Sequence, residues 1–345
     1  MNPIIWSILI TSLSTSTIIT MASHHWVLAW LGLELNTLSI LPITMKPAHP
    51  RATEATMKYF LIQALAAAMI LFASTMNAWQ TSLWDITNSA PTTTTIITLA
   101  ILLKLGTAPV HLWYPDVLQG TTLNTALLIS TWQKLAPLSL LYMMHANSPN
   151  NLLLLTGLLS ALLGGWAGLN QTQTRKIMAH SSIAHMGWIL IALNTTPELT
   201  TLTLLTYMIM TTAMFSSLNA TATKTITDMG TTWSSSPTMM TLTLLTLTSL
   251  GGLPPLTGFM PKLLILNELT MKPLLPTATA LALASLPSLF FYIRMAYTTT
   301  LTTPPTTTNI EHKWRFKTTL FQAHNATTAL ALLLMPLSPT LYTTT

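Results

Sequence analysis

The sequence predicts an all-α polytopic membrane protein with about eleven transmembrane helices. Half of its 345 residues are hydrophobic and only 6% are charged, whereas about a quarter of the residues in a soluble domain are charged. The mean hydropathy is +0.54, and apolar stretches of about 20 residues, enough to cross a bilayer, recur along the whole chain. Two of these stretches are interrupted by Gly and Pro beside a lysine, as in the broken helices that line ion paths.

The predicted spans follow one another with short connections. Threonine is frequent inside them, but a helical Thr hydroxyl can bond back to a carbonyl of the preceding turn, which hides its polarity. No basic segment precedes the first apolar run, unlike a cleaved signal or a transit peptide, so we expect the first helix to stay in the protein. The predicted limits are 3–21, 25–45, 56–79, 93–119 (broken), 122–145, 150–169, 175–194, 199–222, 237–268 (broken), 274–299 and 319–342.

The fourth span is expected to break just after Lys104, because Gly106 and Pro109 follow within a few residues. Proline lacks an amide donor and clashes with the preceding turn. The backbone groups freed at such a break are tolerated in a membrane only where protein or a wet cavity covers them. We therefore expect Lys104 to face an internal polar path. The ninth span shows the same combination of a helix break and a lysine, with a Gly-Gly and a Pro-Pro pair in 251–255 followed by Lys262.

Four charged residues cannot be assigned to any loop: Glu34, Lys104, Lys134 and Lys262. Each costs about 3 kcal/mol at the bilayer centre, even on the mildest scale. The structural alternative is a static ion pair between Glu34 and one lysine, with the other lysines reaching the interface. This alternative does not explain why three lysines accompany a single acidic residue. Because desolvation favours the neutral form of lysine, the surplus indicates groups that take up and release protons.

The histidines are a second set of candidates. His111 follows the first break and His185 lies in the seventh span, and either residue can carry a proton between lysines. A hydrogen-bonded structural histidine is the alternative for both. The nine histidines are mostly near loops, which argues against a haem site with facing histidine pairs.

Composition excludes several other functions. Cysteine is absent, which excludes disulfides, thiolate metal sites and Cys-ligated iron–sulfur clusters within this chain. The 14 Lys and Arg residues outnumber the 8 Asp and Glu residues, but they are spread among short loops rather than gathered in a patch, so we expect no nucleic-acid partner.

The distribution of basic residues predicts an orientation. If the helices alternate, one side collects nearly all the loop lysines and arginines and the other side collects only Lys272. By the positive-inside rule, the N-terminus lies on the basic side and the C-terminus on the other. Arg294, near a helix end, is expected to reach the interface through its long side chain. The basic side comprises Lys46, Arg51, Lys58, Arg175, Lys176, Lys224, Lys313, Arg315 and Lys317.

Three segments resemble the antiporter-like membrane subunits of respiratory complex I. Residues 109–116, Pro-Val-His-Leu-Trp-Tyr-Pro-Asp, resemble the P-x-H-x-W-L-P-D motif of that family. Residues 169–183 resemble the loop and helix start between its two repeats, and residues 251–259 resemble its second helix break. The resemblance covers essentially the whole chain. Ala108 replaces a glutamine that often precedes the motif and Tyr114 replaces its leucine, which changes the hydration expected around the motif's histidine.

The resemblance implies one membrane domain, 1–345, that contains two inverted five-helix repeats, 1–145 and 150–299, each with a broken helix. A connecting loop and a C-terminal helix fill 300–345. Most members of the family carry fourteen helices, and this chain resembles the forms that lack the first three. The roles implied for the candidate residues are a coupling pair for Glu34 and Lys104, a central relay for Lys134, an outer-channel lysine for Lys262 and a proton relay for His111.

The resemblance also implies a core subunit of the proton-pumping NADH:ubiquinone oxidoreductase in the mitochondrial inner membrane. Its N-terminus is then in the matrix and its C-terminus in the intermembrane space. FMN, iron–sulfur clusters and quinone are expected in partner subunits, and none in this chain. The expected partners are the neighbouring antiporter-like subunit, the small Glu-bearing membrane subunits and lipids. Two alternatives stay open at this point: a free-standing cation/proton antiporter and a structural membrane spacer.

Overall fold

The computed structural model describes residues 3–300 and 322–337, and in these ranges the regular structure is helical apart from two isolated β-bridges. Short 3-10 turns lie at His145–Asn147 and at Met335–Leu337. The α-helices are α1 Pro3–Ala22, α2 Trp26–Met45, α3 Pro50–Thr81, α4 Pro91–Leu105, α5 Trp113–Gly120, α6 Leu123–Ser130, α7 Trp132–Met143, α8 Asn150–Gly168, α9 Thr174–Thr195, α10 Pro197–Thr221, α11 Ile226–Ser235, α12 Pro237–Gly251, α13 Phe259–Met271, α14 Leu275–Thr300 and α15 Gln322–Leu333.

Seven of the described helices are long and apolar enough to cross a membrane: α1, α2, α3, α8, α9, α10 and α14. The all-helical membrane class predicted from composition is therefore confirmed. The pairs α4–α5, α6–α7 and α12–α13 occupy three more predicted spans, and α15 is the described part of the last one. That these helices complete eleven crossings in two inverted repeats stays a prediction. Lys313, Arg315, Lys317 and the C-terminal residue lie outside the described residues.

Both predicted helix breaks are confirmed. Helix α4 ends at Leu105, and Gly106 follows with φ +70°, its amide bonded to the carbonyls of Leu102 and Leu103. Helix α12 ends at Gly251, and Gly252 follows with φ +82°. Residues that carry a Cβ atom rarely adopt this left-handed backbone conformation, so glycine ends each helix with the least backbone strain.

Two elements differ from the prediction. The predicted span 122–145 is divided into α6 and α7 at Thr131, whose hydroxyl bonds back to the carbonyl of Leu127 at 2.7 Å, a contact that competes with the backbone ladder and bends helices. The short helix α11 was not predicted, because the prediction counted only apolar runs of spanning length. Its start is a capping box between Thr225 and Asp228, a signal that the sequence carries.

The chain divides into two compact units, residues 1–156 and 157–345, with the boundary inside α8. In the first unit, α2 packs against α1, α3 and α7, and α3 packs against α4 and α5. In the second unit, α10 packs against α9, α12, α13 and α15, while α14 packs against α11, α12 and α13. The helices on either side of each break therefore pack against a long helix of the same unit, α3 in the first unit and α10 and α14 in the second.

The guanidinium of Arg294, in α14, donates to the carbonyls of Leu169 and Gln171. Both carbonyls belong to the turn that follows α8, which ends at Gly168. Arg294 therefore binds the backbone of this turn within its own unit, a role that its charge alone did not reveal.

Candidate polar sites beside the two helix breaks

Lys104 lies in the last turn of α4 and is buried, with 6% of its surface exposed. Its ammonium lies 3.5 Å from both the side-chain oxygen and the backbone carbonyl of Gln63 on α3. The Gln63 amide in turn donates to the backbone carbonyl of Lys104 at 3.2 Å. The break supplies this arrangement, because carbonyls in the last turn of a helix lack an amide partner within that helix.

Lys134, in the first turn of α7, is more deeply buried, with 3% of its surface exposed. Its Nζ lies 5.0 Å from the ring centroid of Tyr114, within the range of a cation–π contact. Tyr114 follows Trp113 at the start of α5, and both side chains pack against Gly106, where an added Cβ would lie 3.2 Å from Trp113 and 3.3 Å from Tyr114. The first break therefore folds back so that the residues after it meet Lys134.

Lys104 and Lys134 line the same narrow cavity, which has room for about one water molecule. The two predicted lysines are thus brought together from different helices. None of the residues around this cavity in the described structure is acidic. The lining consists of Tyr59, Gln63, Lys104, Leu105, Trp113, Tyr114, Ile129, Gln133 and Lys134.

A line of uncharged polar side chains crosses the same region. The Tyr59 hydroxyl donates to Gln133 at 3.3 Å, and the Gln133 amide donates to Asn36 at 2.9 Å. These bonds join α3, α7 and α2. Asn36 lies two residues beyond Glu34 on α2, and side chains at that spacing do not face each other on a helix, so the line of hydrogen bonds ends on α2 without including the acid.

Glu34 is partly buried, and its Oε2 atom is buried without a hydrogen-bond partner among the described residues. It is close enough to act electrostatically on both Lys104 and Tyr59. No ion pair joins it to a lysine in the described part of the chain, where the ion pairs found are those of Lys58 with Glu54 and Asp116. The geometry therefore differs from the static ion pair considered above.

His111 lies within the first break and is 7% exposed. Its Nδ1 lies 3.2 Å from the carbonyl of Pro109, two residues earlier. It is not among the residues that line the cavity shared by Lys104 and Lys134. The structure thus brings two of the predicted relay residues of this unit, Lys104 and Lys134, to one cavity whose lining does not include His111.

In the second unit, Lys262 lies in the first turn of α13 and donates to the carbonyl of Gly251 at 2.9 Å. That carbonyl belongs to the last turn of α12, so the lysine spans the second break. Its Nζ also lies 5.8 Å from the ring centroid of Trp188. A second small cavity, with room for about one water molecule, lies beside it and is lined by residues of α9, α10 and α13.

His185 lines the cavity of Lys262. Its ring centroid lies 5.6 Å from that of Tyr207, and its Nε2 lies 3.4 Å from the hydroxyl of Tyr292 on α14. The sequence left a structural and a proton-carrying role open for this histidine. The structure adds that it shares a cavity with a lysine and has a phenol within hydrogen-bonding distance.

Several polar residues of these sites were missed by the sequence analysis, which considered charges and histidines only. The signal was present, because an amide side chain in a membrane helix also needs a buried partner. Among the residues of these sites, three carry this signal: Asn36, Gln63 and Gln133. Tyr59, Tyr207 and Tyr292 carry no comparable signal, since tyrosine is equally common at membrane interfaces.

Comparison with known families gives two matches that together cover nearly the whole chain. The family model for the transmembrane part of the NADH:quinone oxidoreductases and Mrp antiporters matches residues 23–290. The model for the C-terminus of NADH dehydrogenase subunit 2 matches residues 289–342.

Close relatives share the full length of the chain. NADH-ubiquinone oxidoreductase chain 2 of Carassius auratus is 54% identical over 100% of both chains. The protein of the same name from Salmo salar is 53% identical over 99% of both chains.

Solved structures share the fold. A chain of respiratory complex I from Thermus thermophilus superposes with a TM-score of 0.84 at 24% identity, covering 97% of this chain and 78% of that one. A chain of the Mrp complex from Dietzia sp. superposes with a TM-score of 0.83 at 14% identity, covering 97% of this chain and 75% of the other. The two family matches and the full-length relatives show that the chain belongs to the NADH-ubiquinone oxidoreductase chain 2 family.

Proposed function

We propose that this chain, a membrane subunit of the NADH:ubiquinone oxidoreductase, relays protons through Glu34, Lys104, Lys134 and Lys262. The observation that carries the proposal is the cavity between Lys104 and Lys134, which two buried lysines share with uncharged polar side chains. Two ammonium groups in one poorly hydrated cavity repel each other and disfavour double protonation. A single proton shared between the two amines is the lower-energy arrangement, and its transfer is the elementary step of the relay.

The step conserves protons within the chain. The ammonium of Lys104 loses one proton and the neutral amine of Lys134 gains it, through a water molecule in the cavity that the two lysines share. Glu34 sets the direction, because a nearby carboxylate favours the charged form of Lys104. When the carboxylate is neutralised or moves away, desolvation favours release of the proton. Electron transfer, FMN, iron–sulfur clusters and quinone belong to partner subunits in this proposal.

Replacement of Lys134 by methionine tests the relay directly. We expect Lys134→Met to leave the complex assembled, because methionine fills similar apolar volume, and to reduce proton pumping at least about tenfold through loss of the carrier. Pumping is measured per assembled complex in sealed vesicles that are supplied with NADH and quinone. Lys58→Met is the matched control, since Lys58 is a lysine at the surface of the same unit, paired with Glu54 at 2.7 Å.

Normal pumping in an assembled Lys134→Met complex would instead favour the structural spacer, which tolerates the loss of every buried charge. A free-standing antiporter is not retained as a candidate. The similarity to the Mrp complex chain, at 14% sequence identity, supports a shared fold alone. Relatives with more than 50% identity are named as oxidoreductase subunits.

The proposal places the chain in the mitochondrial inner membrane, with the N-terminus in the matrix and the C-terminus in the intermembrane space. The proposal also includes eleven membrane crossings in two inverted repeats. The proposed contacts are with the neighbouring antiporter-like subunit, the small Glu-bearing subunits and lipids. The support for this orientation is the concentration of lysine and arginine in alternate loops, together with the positive-inside rule.

Protease accessibility checks this orientation. In mitoplasts, whose inner membrane is intact, protease added from outside is expected to reach the C-terminus and to spare the basic loops that contain Arg51 and Lys176. After the membrane is opened with detergent, those loops should be cleaved as well. Cleavage beside Arg175 in intact mitoplasts would mean that the orientation is inverted.

A further inference from the structure

Helix α15 contacts the second helix break through one side chain. The hydroxyl of Thr257, which is 3% exposed and lies between α12 and α13, donates to the carbonyl of Ala331 in the last turn of α15. Most other Ser and Thr hydroxyls of the described helices bond back to their own helix, as Thr246 and Ser249 do on α12. The Thr257 hydroxyl instead joins two elements that are 74 residues apart.

The other end of α15 is held as well. His324 is buried and its Nδ1 lies 2.8 Å from the hydroxyl oxygen of Ser216 on α10. The same hydroxyl lies 2.9 Å from the carbonyl of Ala213, so it joins His324 to the backbone of α10. His324 and Ala331 are separated by about two turns of helix. Helix α15 is thus attached to α10 at one end and to the break at the other.

The break to which α15 is attached positions Lys262. Thr257 directly precedes Gly258, and Gly258 lies so close to the carbonyl of Ser249 that an added Cβ would clash with it. Helix α13 starts at the next residue, with Lys262 in its first turn. A displacement of Thr257 is therefore transmitted over one helical turn to the lysine, with little free space to absorb it.

Two of the three helix ends at the break, those of α12 and α15, favour a positive charge. The first turn of α13 is an unfavourable place for a cation, because a helix N-terminus carries partial positive charge. The last turns of α12 and α15 carry partial negative charge. The α12 end contacts Lys262 through the Gly251 carbonyl, and the α15 end is brought to the break by its bond with Thr257.

We propose that α15 positions Lys262, and that the hydrogen bond from Thr257 to Ala331 is the contact through which it does so. Thr257 is a positioning residue in this scheme and carries no proton itself. Ala331 lies in the segment that matches the model specific to subunit 2, whereas Thr257 and Lys262 lie within the wider oxidoreductase and antiporter match. The inference rests on the proposed role of Lys262.

The test compares three variants in the assembled, membrane-embedded complex. Thr257→Val removes the hydroxyl and keeps the shape, so we expect the protons moved per electron pair to fall by roughly half or more of the loss caused by Lys262→Met, since an ordinary buried hydrogen bond shifts an equilibrium about fivefold. Thr257→Ser keeps the hydroxyl and should behave as the wild type. Thr328→Val is the matched control, because the buried Thr328 hydroxyl on α15 bonds, among the described residues, only to the carbonyl of Asn325 in the same helix.

A double variant separates positioning from general damage. If Thr257 acts through Lys262, adding Thr257→Val to Lys262→Met should cause no further loss, whereas independent effects add. A further loss in the double variant, or wild-type stoichiometry in Thr257→Val while Lys262→Met is impaired, would overturn the inference and leave the proposed function standing. Wild-type stoichiometry in both Lys262→Met and Lys134→Met would instead overturn the proposed function.

Assembly is measured for every variant on native gels. If Thr257→Val does not assemble, Thr257→Ala removes the same hydroxyl without a second methyl group in the break and takes its place in the comparison. Failure of both to assemble, with normal assembly of Thr257→Ser, would assign the hydrogen bond to assembly and overturn a role in positioning Lys262.

Discussion

Glu34→Gln is expected to slow NADH:quinone turnover and proton pumping together, by about tenfold or more per assembled complex. Two unit charges about 7 Å apart interact by roughly 2.4 kcal/mol at an effective dielectric near 20, and moving one charge against 100 mV costs about 2.3 kcal/mol. A carboxylate at that separation would change the proton affinity of Lys104 by an amount comparable with the gradient. Removal of its charge should stall the relay, and electron flow with it.

The conservative variant and a surface control sharpen this prediction. Glu34→Asp keeps the charge at a shifted position and should retain part of both activities. Glu54→Gln removes a glutamate of the same unit that pairs with Lys58 at the surface and should change neither. Turnover is followed by NADH oxidation and pumping by a pH-sensitive dye in the same vesicles.

A static ion pair predicts a different result. If Glu34 and Lys104 formed such a pair, Glu34→Gln would assemble poorly, because Lys104 would lose its partner. The complex that does assemble would then show normal turnover and normal proton pumping. The described geometry already argues against it, since Glu34 has a buried oxygen without a hydrogen-bond partner there and Lys104 contacts Gln63 instead. Normal turnover and normal pumping per assembled Glu34→Gln complex would nonetheless refute the switch.

Lys262→Met is expected to preserve assembly and to lower the number of protons moved per electron pair. The side chain gives up one hydrogen bond, to the Gly251 carbonyl, and methionine fills the same space in an apolar surrounding. Loss of the ammonium should interrupt the second unit while the first continues to function. The ratio of protons to electrons therefore falls more than the rate of NADH oxidation.

Lys272→Met is a close control for this variant. Lys272 is also a half-buried lysine of the second unit, and it also donates to a backbone carbonyl, that of Thr195 at 2.6 Å. It does not line the cavity of Lys262. If the two variants lower the stoichiometry equally, the effect is due to the loss of a lysine–carbonyl bond, and Lys262 has no separate part in the relay.

The helix breaks and the buried charges were predictable because their causes are local. Glycine at a left-handed position and proline without an amide end a helix whatever surrounds them, as Gly106 and Gly252 illustrate. A lysine inside an apolar run is costly in any membrane fold. The division at Thr131 was missed because Thr back-bonding usually leaves a helix intact, and only the geometry decides where it interrupts the ladder.

The sequence by itself determined that this is a helical membrane protein and which charged residues lie inside it, because hydropathy and helix termination depend on short stretches of chain. Only the tertiary structure decided which residues meet: Gln63 with Lys104, Gln133 with Asn36, and Thr257 with Ala331. Helix faces turned toward lipid and toward other helices are both apolar. Hydrophobic periodicity therefore gives little indication of which faces pack together, and the contacts that complete each site appear only when the helices are assembled.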